Sequence, residues 1–159
     1  MSRAVVALGA NLGDTASTLA HAVAEIRELP LTTNVVCSDP IESVAITTSG
    51  PDPSKPGYLN AVAVVETRLA PTVLLRALNG IEARHGRVRL ERWGDRTLDL
   101  DLIAYGGVTS DDPRLTLPHP RAHERHFVLG PWAQVDPDAE LAGHGRVIEL
   151  AARFLGEAG

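Results

Sequence analysis

Residues 98–105, Leu-Asp-Leu-Asp-Leu-Ile-Ala-Tyr, constrain this chain more than any other stretch. Side chains two apart on a strand share a face. A strand here turns Asp99 and Asp101 one way and Leu98, Leu100 and Leu102 the other, into a core. The alternation alone is what any half-exposed strand shows, and its neighbours add the rest. Two carboxylates about 7 Å apart along a strand form a hard-oxygen site suited to Mg²⁺, which takes one or two carboxylates and fills its shell with water and phosphate oxygens. Just upstream lie Arg87, Arg89, Arg92 and Arg96, and guanidinium groups bind phosphate in a two-point fork. Between Arg84 and Arg96 there are five arginines against Glu91 and Asp95, with Glu82 just before, in a chain of net charge −5. A metal-binding pair beside such a cluster points to chemistry on a nucleotide polyphosphate.

Composition sets the bounds around that stretch. At 159 residues and 44% apolar content the chain fits one domain, 1–159, with a real core. The acidic balance argues against a duplex-DNA binder, and an RNA-reading sheet would carry exposed aromatics where this one carries carboxylates, so no nucleic-acid partner is expected. Cys37 is the single cysteine, read as a small buried hydrophobe with no internal disulfide. No apolar run approaches membrane-spanning length, and the opening Met-Ser-Arg-Ala-Val-Val enters a strand with no signal-peptide layout. The expectation is a cytoplasmic monomer with no membrane partner.

Residues 4–8 read as a strand, and Gly9-Ala-Asn-Leu-Gly-Asp14 turns it into a helix with Asp14 as N-cap. That glycine loop lacks the pattern of a phosphate loop and reads as a structural turn. Leu19, Ala22, Val23 and Ile26 mark the buried helix face. Residues 34–46 read as a strand interrupted at Pro40, 47–57 as a loop, and 58–69 as the returning antiparallel strand. Pro71 opens a second helix with Leu74, Leu78 and Ile81 inward and Gly86 as its stop. Asn79 and Glu82 share another face of it. Residues 87–97 form a polar loop. Beyond the aspartate strand come a loop with a short extended piece (111–119), a segment that starts irregularly and includes a helical turn (120–135), a turn at Asp136, and a final amphipathic helix (147–155). Trp132 and Phe154 read as core. The order of elements predicts an α+β fold with a ferredoxin-like antiparallel sheet flanked by helices.

Arg92-Trp-Gly-Asp-Arg-Thr-Leu-Asp-Leu-Asp-Leu-Ile closely resembles the signature of the 6-hydroxymethyl-7,8-dihydropterin pyrophosphokinase family of folate biosynthesis. Gly9 to Asp14, Tyr58-Leu-Asn60, Gly86-Arg-Val-Arg89, Arg114-Leu-Thr-Leu-Pro-His119 and Arg125-His-Phe-Val-Leu129 extend the resemblance in the family's order over almost the whole chain. It implies the same core with C-terminal additions, and transfer of the terminal two phosphates of ATP, as one group, onto a pterin hydroxymethyl oxygen, releasing AMP. By the same resemblance Asp99 and Asp101 hold two Mg²⁺, which leaves no need for a histidine base. Arg87 and Arg96 act in catalysis by clamping phosphates, and the loop that carries them with Trp93 is a lid. Asn79, Glu82, Arg89, Trp93, Leu102, Arg114, Thr116, His119 and Arg125 join them around ATP. Tyr58 and Phe127 sandwich the pterin, Asn60 reads its edge with donor and acceptor, and Ser43, Val44, Ile46, Trp93 and Asp99 complete its pocket.

The chain departs from the family's pattern at four places. Asp95 stands where proline or a small residue is usual, Asn79 where glutamine is commoner, and Pro120 where the residue is often aromatic. Ser43-Val44-Ala45 replaces the usual Thr-Pro-Pro. Asp95 bears on the nucleotide lid, and the last change bears on the pterin pocket.

Overall fold

The computed structural model describes residues 1–11, 14–43, 46–47, 50–51, 57–85 and 98–158; at 46–47, 50–51 and 155–158 it describes the backbone alone. The arginine-bearing segment from Arg87 to Arg96, with Trp93, and Val44 lie outside those residues. In chain order the first half comprises β1 (Ser2–Ala10), α1 (Thr15–Arg27), β2 (Thr32–Cys37), β3 (Ile41–Ser43), β4 (Ile46–Thr47), β5 (Gly50–Pro51) and β6 (Tyr58–Thr67). Then follow α2 (Pro71–His85), β7 (Asp99–Tyr105), β8 (Ser110–Asp112), β9 (Leu115–Leu117), a 3₁₀ turn at Ala122–Glu124, α3 (His126–Val135), β10 (Glu140–Leu141), β11 (Gly145–Arg146) and α4 (Val147–Ala158).

The central sheet runs β2-β6-β1-β7, with β3 continuing beside β6, and every pairing is antiparallel. Both faces of its middle are covered. Ala4, Val6, Leu8 and Ala10 of β1 face the same side as Ala61, Ala63 and Val65 of β6 and Leu100 and Leu102 of β7. Leu19, Ala22, Val23 and Ile26 of α1 and Leu74, Leu78 and Ile81 of α2 cover that side. On the other side Val5, Val62, Val64 and Ile103 meet Val128, Leu129 and Trp132 of α3 and Val147 and Leu150 of α4. Burial on two faces explains why β1 and β6 are apolar almost throughout rather than alternating.

A bulge in β7 is the fold feature that matters most for the site. Val6 pairs with Leu102 and Val5 with Ala104, so Ile103 is an extra residue. Leu102 and Tyr105 thereby stay in the first core while Ile103 drops into the second. The second face of β7 thus reads Asp99, Asp101, Ile103. Its apolar end lies under α3 and α4, and its acidic end continues past them.

Local signals set the element ends. The Asp14 carboxylate accepts the Ser17 N–H at 3.1 Å and caps α1, a contact worth about 1 kcal/mol. The strand expected over 34–46 is split at Ser38-Asp39-Pro40. There the Ser38 hydroxyl accepts the Val62 N–H at 2.9 Å in place of a backbone partner. The 120–135 segment is more regular than expected, because α3 runs ten residues and holds Pro131 within it.

The last turn of α2 is tied to α1 through Glu25, whose carboxylate accepts from Arg84 Nε at 2.9 Å and from the His85 ring. Burial pushes this carboxyl up, but the bonds from His85 and Arg84 and their charge outweigh it and hold it below the ordinary 4.5. A depressed carboxyl stabilises the fold fully above its unfolded value and loses that stabilisation as pH falls through its folded one. Glu25→Gln is therefore expected to flatten the acid limb of stability below pH 4.5. Urea midpoints from neutral to acid pH measure it, and an unchanged acid limb contradicts it.

Candidate active site

Where β7, β1 and β6 run beyond α3, a cleft of about 180 Å³ opens on the second face of the sheet. Asp99 and Asp101 line it with Ser43, Tyr58, Asn60, Arg125 and Phe127. Register explains the gathering: Gly9 of β1 pairs with Asp99 on one side and Asn60 on the other, and Ala7 pairs with Asp101. Small residues in the middle strand keep the floor low between the two polar walls. A Cβ on Gly9 would stand 3.5 Å from both Asn60 Oδ1 and Tyr58 Cδ1. The sequence reading missed Ala7 and Gly9 as floor residues; the signal was the small side chains at alternate positions of an otherwise bulky strand.

Asn60 is 5% exposed, and its orientation is fixed. Its Nδ2 donates to Ser43 Oγ at 2.8 Å, to the Ile41 carbonyl at 3.2 Å and to the Tyr58 carbonyl at 3.3 Å. The amide was expected to offer donor and acceptor to a ligand; here its donor end is spent inside the protein, tying β3 to β6. That tie also needs a glycine at position 57, where a Cβ would fall 2.6 Å from the Ser43 carbonyl. Tyr58 and Phe127 both line the cleft, from β6 and from the first turn of α3.

The charges form one line. Arg125 precedes α3, and its carbonyl accepts the N–H groups of Val128 at 2.9 Å and Leu129 at 3.0 Å, which fixes the entry of the helix. Its guanidinium carbon lies 5.9 Å from the centre of the Phe127 ring, and its Nη1 lies 3.8 Å from Asp101 Oδ2. That separation is long for a hydrogen bond. His119 follows the cis Leu117–Pro118 bond, and its backbone N–H donates to the Ile103 carbonyl at 2.8 Å. Burial pushes its imidazole below the ordinary 6.5; Asp101 opposes this, and Arg125 and Arg121 add to it. The ring is therefore neutral at pH 7. Its Nδ1 accepts the Arg121 N–H at 3.2 Å, which leaves the proton on Nε2.

The remaining candidates lie along the free edge of β7 or beyond it. Glu82 Oε2 accepts the Leu100 N–H at 2.8 Å, capping that edge from α2, and Asn79 is exposed one turn away. Thr116 donates to the Asp112 carbonyl at 3.1 Å within the β8–β9 ribbon. Arg114 points into solvent with its side chain 95% exposed, so nothing among the described residues holds it over the cleft. Leu102 is packed in the first core, on the face away from the aspartates. Ile46 has only its backbone described, paired with Pro51.

Residues 5–137 match the family described as 7,8-dihydro-6-hydroxymethylpterin-pyrophosphokinase (HPPK), and the chain belongs to that family. A relative from Haemophilus influenzae, named 2-amino-4-hydroxy-6-hydroxymethyldihydropteridine pyrophosphokinase, is 41% identical over 154 residues, covering 97% of this chain and 94% of its own. One of the same name from Pseudomonas aeruginosa is 41% identical over 152 residues, covering 96% and 91%. Among solved structures, an HPPK-DHPS in complex with substrates superposes with a TM-score of 0.73 at 12% identity, covering 99% of this chain and 46% of its own. Plasmodium falciparum HPPK-DHPS with pteroate gives 0.73 at 12%, covering 98% and 45%. This chain thus spans less than half of those longer chains, and at such identity they speak to the fold alone.

Proposed function

We infer that this chain is an enzyme that transfers pyrophosphate from ATP to the hydroxymethyl group of 6-hydroxymethyl-7,8-dihydropterin, giving AMP and the pterin diphosphate in folate biosynthesis. The observation that carries the reading is one cleft lined by Tyr58, Phe127 and two carboxylates, in a chain whose near-full-length relatives bear that enzyme's name. In the reaction the substrate hydroxyl oxygen bonds to Pβ, the Pβ–O bond to the α-phosphate breaks, and the hydroxyl proton leaves.

The chain's own groups divide the work. Tyr58 and Phe127 hold the pterin between them, and Asn60 presents Oδ1 to its edge because its Nδ2 is committed elsewhere. Holding the hydroxymethyl arm beside the phosphates contributes by orientation. Arg125 and the neutral Nε2–H of His119 take phosphate oxygens, joined by Arg87 and Arg96. Asn79, Glu82, Thr116, Arg89, Arg114 and the Leu102 backbone surround the nucleotide; Val44, Ile46 and Trp93 complete the pterin side. Asp99 and Asp101 offer hard oxygens, half-open on the cleft face, and so fit Mg²⁺. The chemistry Mg²⁺ supplies when bound there is charge neutralisation on the triphosphate and a more acidic attacking hydroxyl.

The ferredoxin-like description is supported by two interleaved β-α-β crossovers in the order β2-β6-β1-β7, with α3 and α4 as additions on the second face. A single domain is supported by two cores sharing one sheet, and a monomer is the proposed state. Among the described residues no helix is long and apolar enough to cross a membrane; the cytoplasm is the proposed compartment. Product analysis tests the reaction: AMP and a pterin diphosphate form together from ATP, the pterin and Mg²⁺, and a chelator stops both. ADP with a pterin monophosphate contradicts it.

A further inference from the structure

Asn11, directly after β1, is a buried amide. Asn11 is 5% exposed, and among the described residues neither its Oδ1 nor its Nδ2 has a hydrogen-bond partner. Native proteins leave few such groups, and each calls for an explanation. Strand alternation places Ala7 and Gly9 on the face of Asp99 and Asp101, opposite Ala10 in the first core, and Asn11 directly follows the last strand residue. Gly9 forms the cleft floor beside Asn60 and Tyr58. Ala10 pairs with Leu59, so the chain carries Asn11 on toward the Tyr58 end of β6. Two asparagines therefore bracket Gly9 in opposite states. Asn60 has three acceptors on its amino group; Asn11 has none among the described residues.

We propose that Asn11 is a positioning residue whose hydrogen bonds form only in the pterin complex, so that the ligand-free chain carries an unsatisfied amide which substrate binding relieves. The inference rests on the pterin reading of the cleft. An amide has one flat acceptor and one flat donor, the chemistry that suits a heteroaromatic edge or the backbone drawn up around one. Selectivity follows, because a site with a buried polar group to satisfy rejects a flat ring that leaves it unpaired.

Asn11→Leu tests this in the full chain, because it keeps the bulk and removes the polar atoms. The ligand-free melting temperature is expected to hold or rise, since a buried amide without partners contributes no bond to lose. The KM for the pterin is expected to rise roughly tenfold, the equivalent of a lost hydrogen bond to a buried group, with KM for ATP little changed. A pterin KM equal to that of the wild type overturns the proposal, and so does a lower ligand-free melting temperature. Should the variant not fold, ¹⁵N spectra of the wild type decide. The Asn11 side-chain amide signals shift and gain exchange protection on pterin addition, or by staying put they overturn the proposal. Wild-type protein that makes no AMP would sink the pterin reading itself, which is a separate result.

Discussion

Asp101→Ala is expected to lower turnover by about 10²–10³-fold, the scale seen when one group that stabilises transition-state charge is removed. The melting temperature is expected to stay within a few degrees of wild type, as for surface substitutions generally. The asymmetry comes from where the side chain lies. It is 45% exposed, it packs in neither core, and Arg125 stands off at 3.8 Å. Its loss costs the fold little, while the cleft loses half of its carboxylate pair. Asp101→Asn keeps the shape and removes the charge, so a similar loss there assigns the effect to charge. Asp99→Ala is expected to behave alike, being partly exposed on the same face and lining the same cleft. Asp111→Ala, in the exposed β8–β9 ribbon, is the control and leaves activity unchanged. Equal loss of activity and stability in the Asp101 variants would return the strand to a structural role.

Phe127→Ala is expected to raise KM for the pterin by roughly 5–150-fold, from about 1–3 kcal/mol per ring stacked on an aromatic. KM for ATP should move far less. Phe127 sits in the first turn of α3, partly buried against the second core, with the Arg125 guanidinium 5.9 Å from its centre. The substitution therefore also loosens Arg125, and a small rise in KM for ATP reports that contact. Phe127→Leu separates the two contributions, because it keeps apolar bulk without a flat face. If Leu restores pterin binding fully, Phe127 packs rather than stacks.

Some of this site was legible in the sequence because strand geometry leaves little choice. The period of two in 98–102 fixed which way Asp99 and Asp101 point, and the Asp14 cap with the Leu19-Ala22-Val23-Ile26 stripe fixed α1. Other features depend on contacts distant in sequence. Nothing local marks Ile103 as the extra residue of a bulge; it follows from the needs of two cores, one on each side. α3 was hidden by Gly130 and Pro131, both unfavourable inside a helix. The second core compensates through Val128, Leu129 and Trp132. The commitment of the Asn60 amino group to Ser43, 17 residues away, and the orphaned amide of Asn11 appear only once β1, β3 and β6 are set side by side. The arginines that first pointed to a polyphosphate lie outside the described residues. Among the described residues the cleft carries the two carboxylates, Tyr58, Phe127 and Arg125.

The most direct test follows one oxygen atom. ATP labelled with ¹⁸O at the bridge between its α- and β-phosphates, turned over with 6-hydroxymethyl-7,8-dihydropterin and Mg²⁺, is examined by mass spectrometry. Attack at Pβ leaves the label in AMP and none in the pterin diphosphate. Label recovered in ADP, or in free pyrophosphate, would mean that a different phosphorus is attacked.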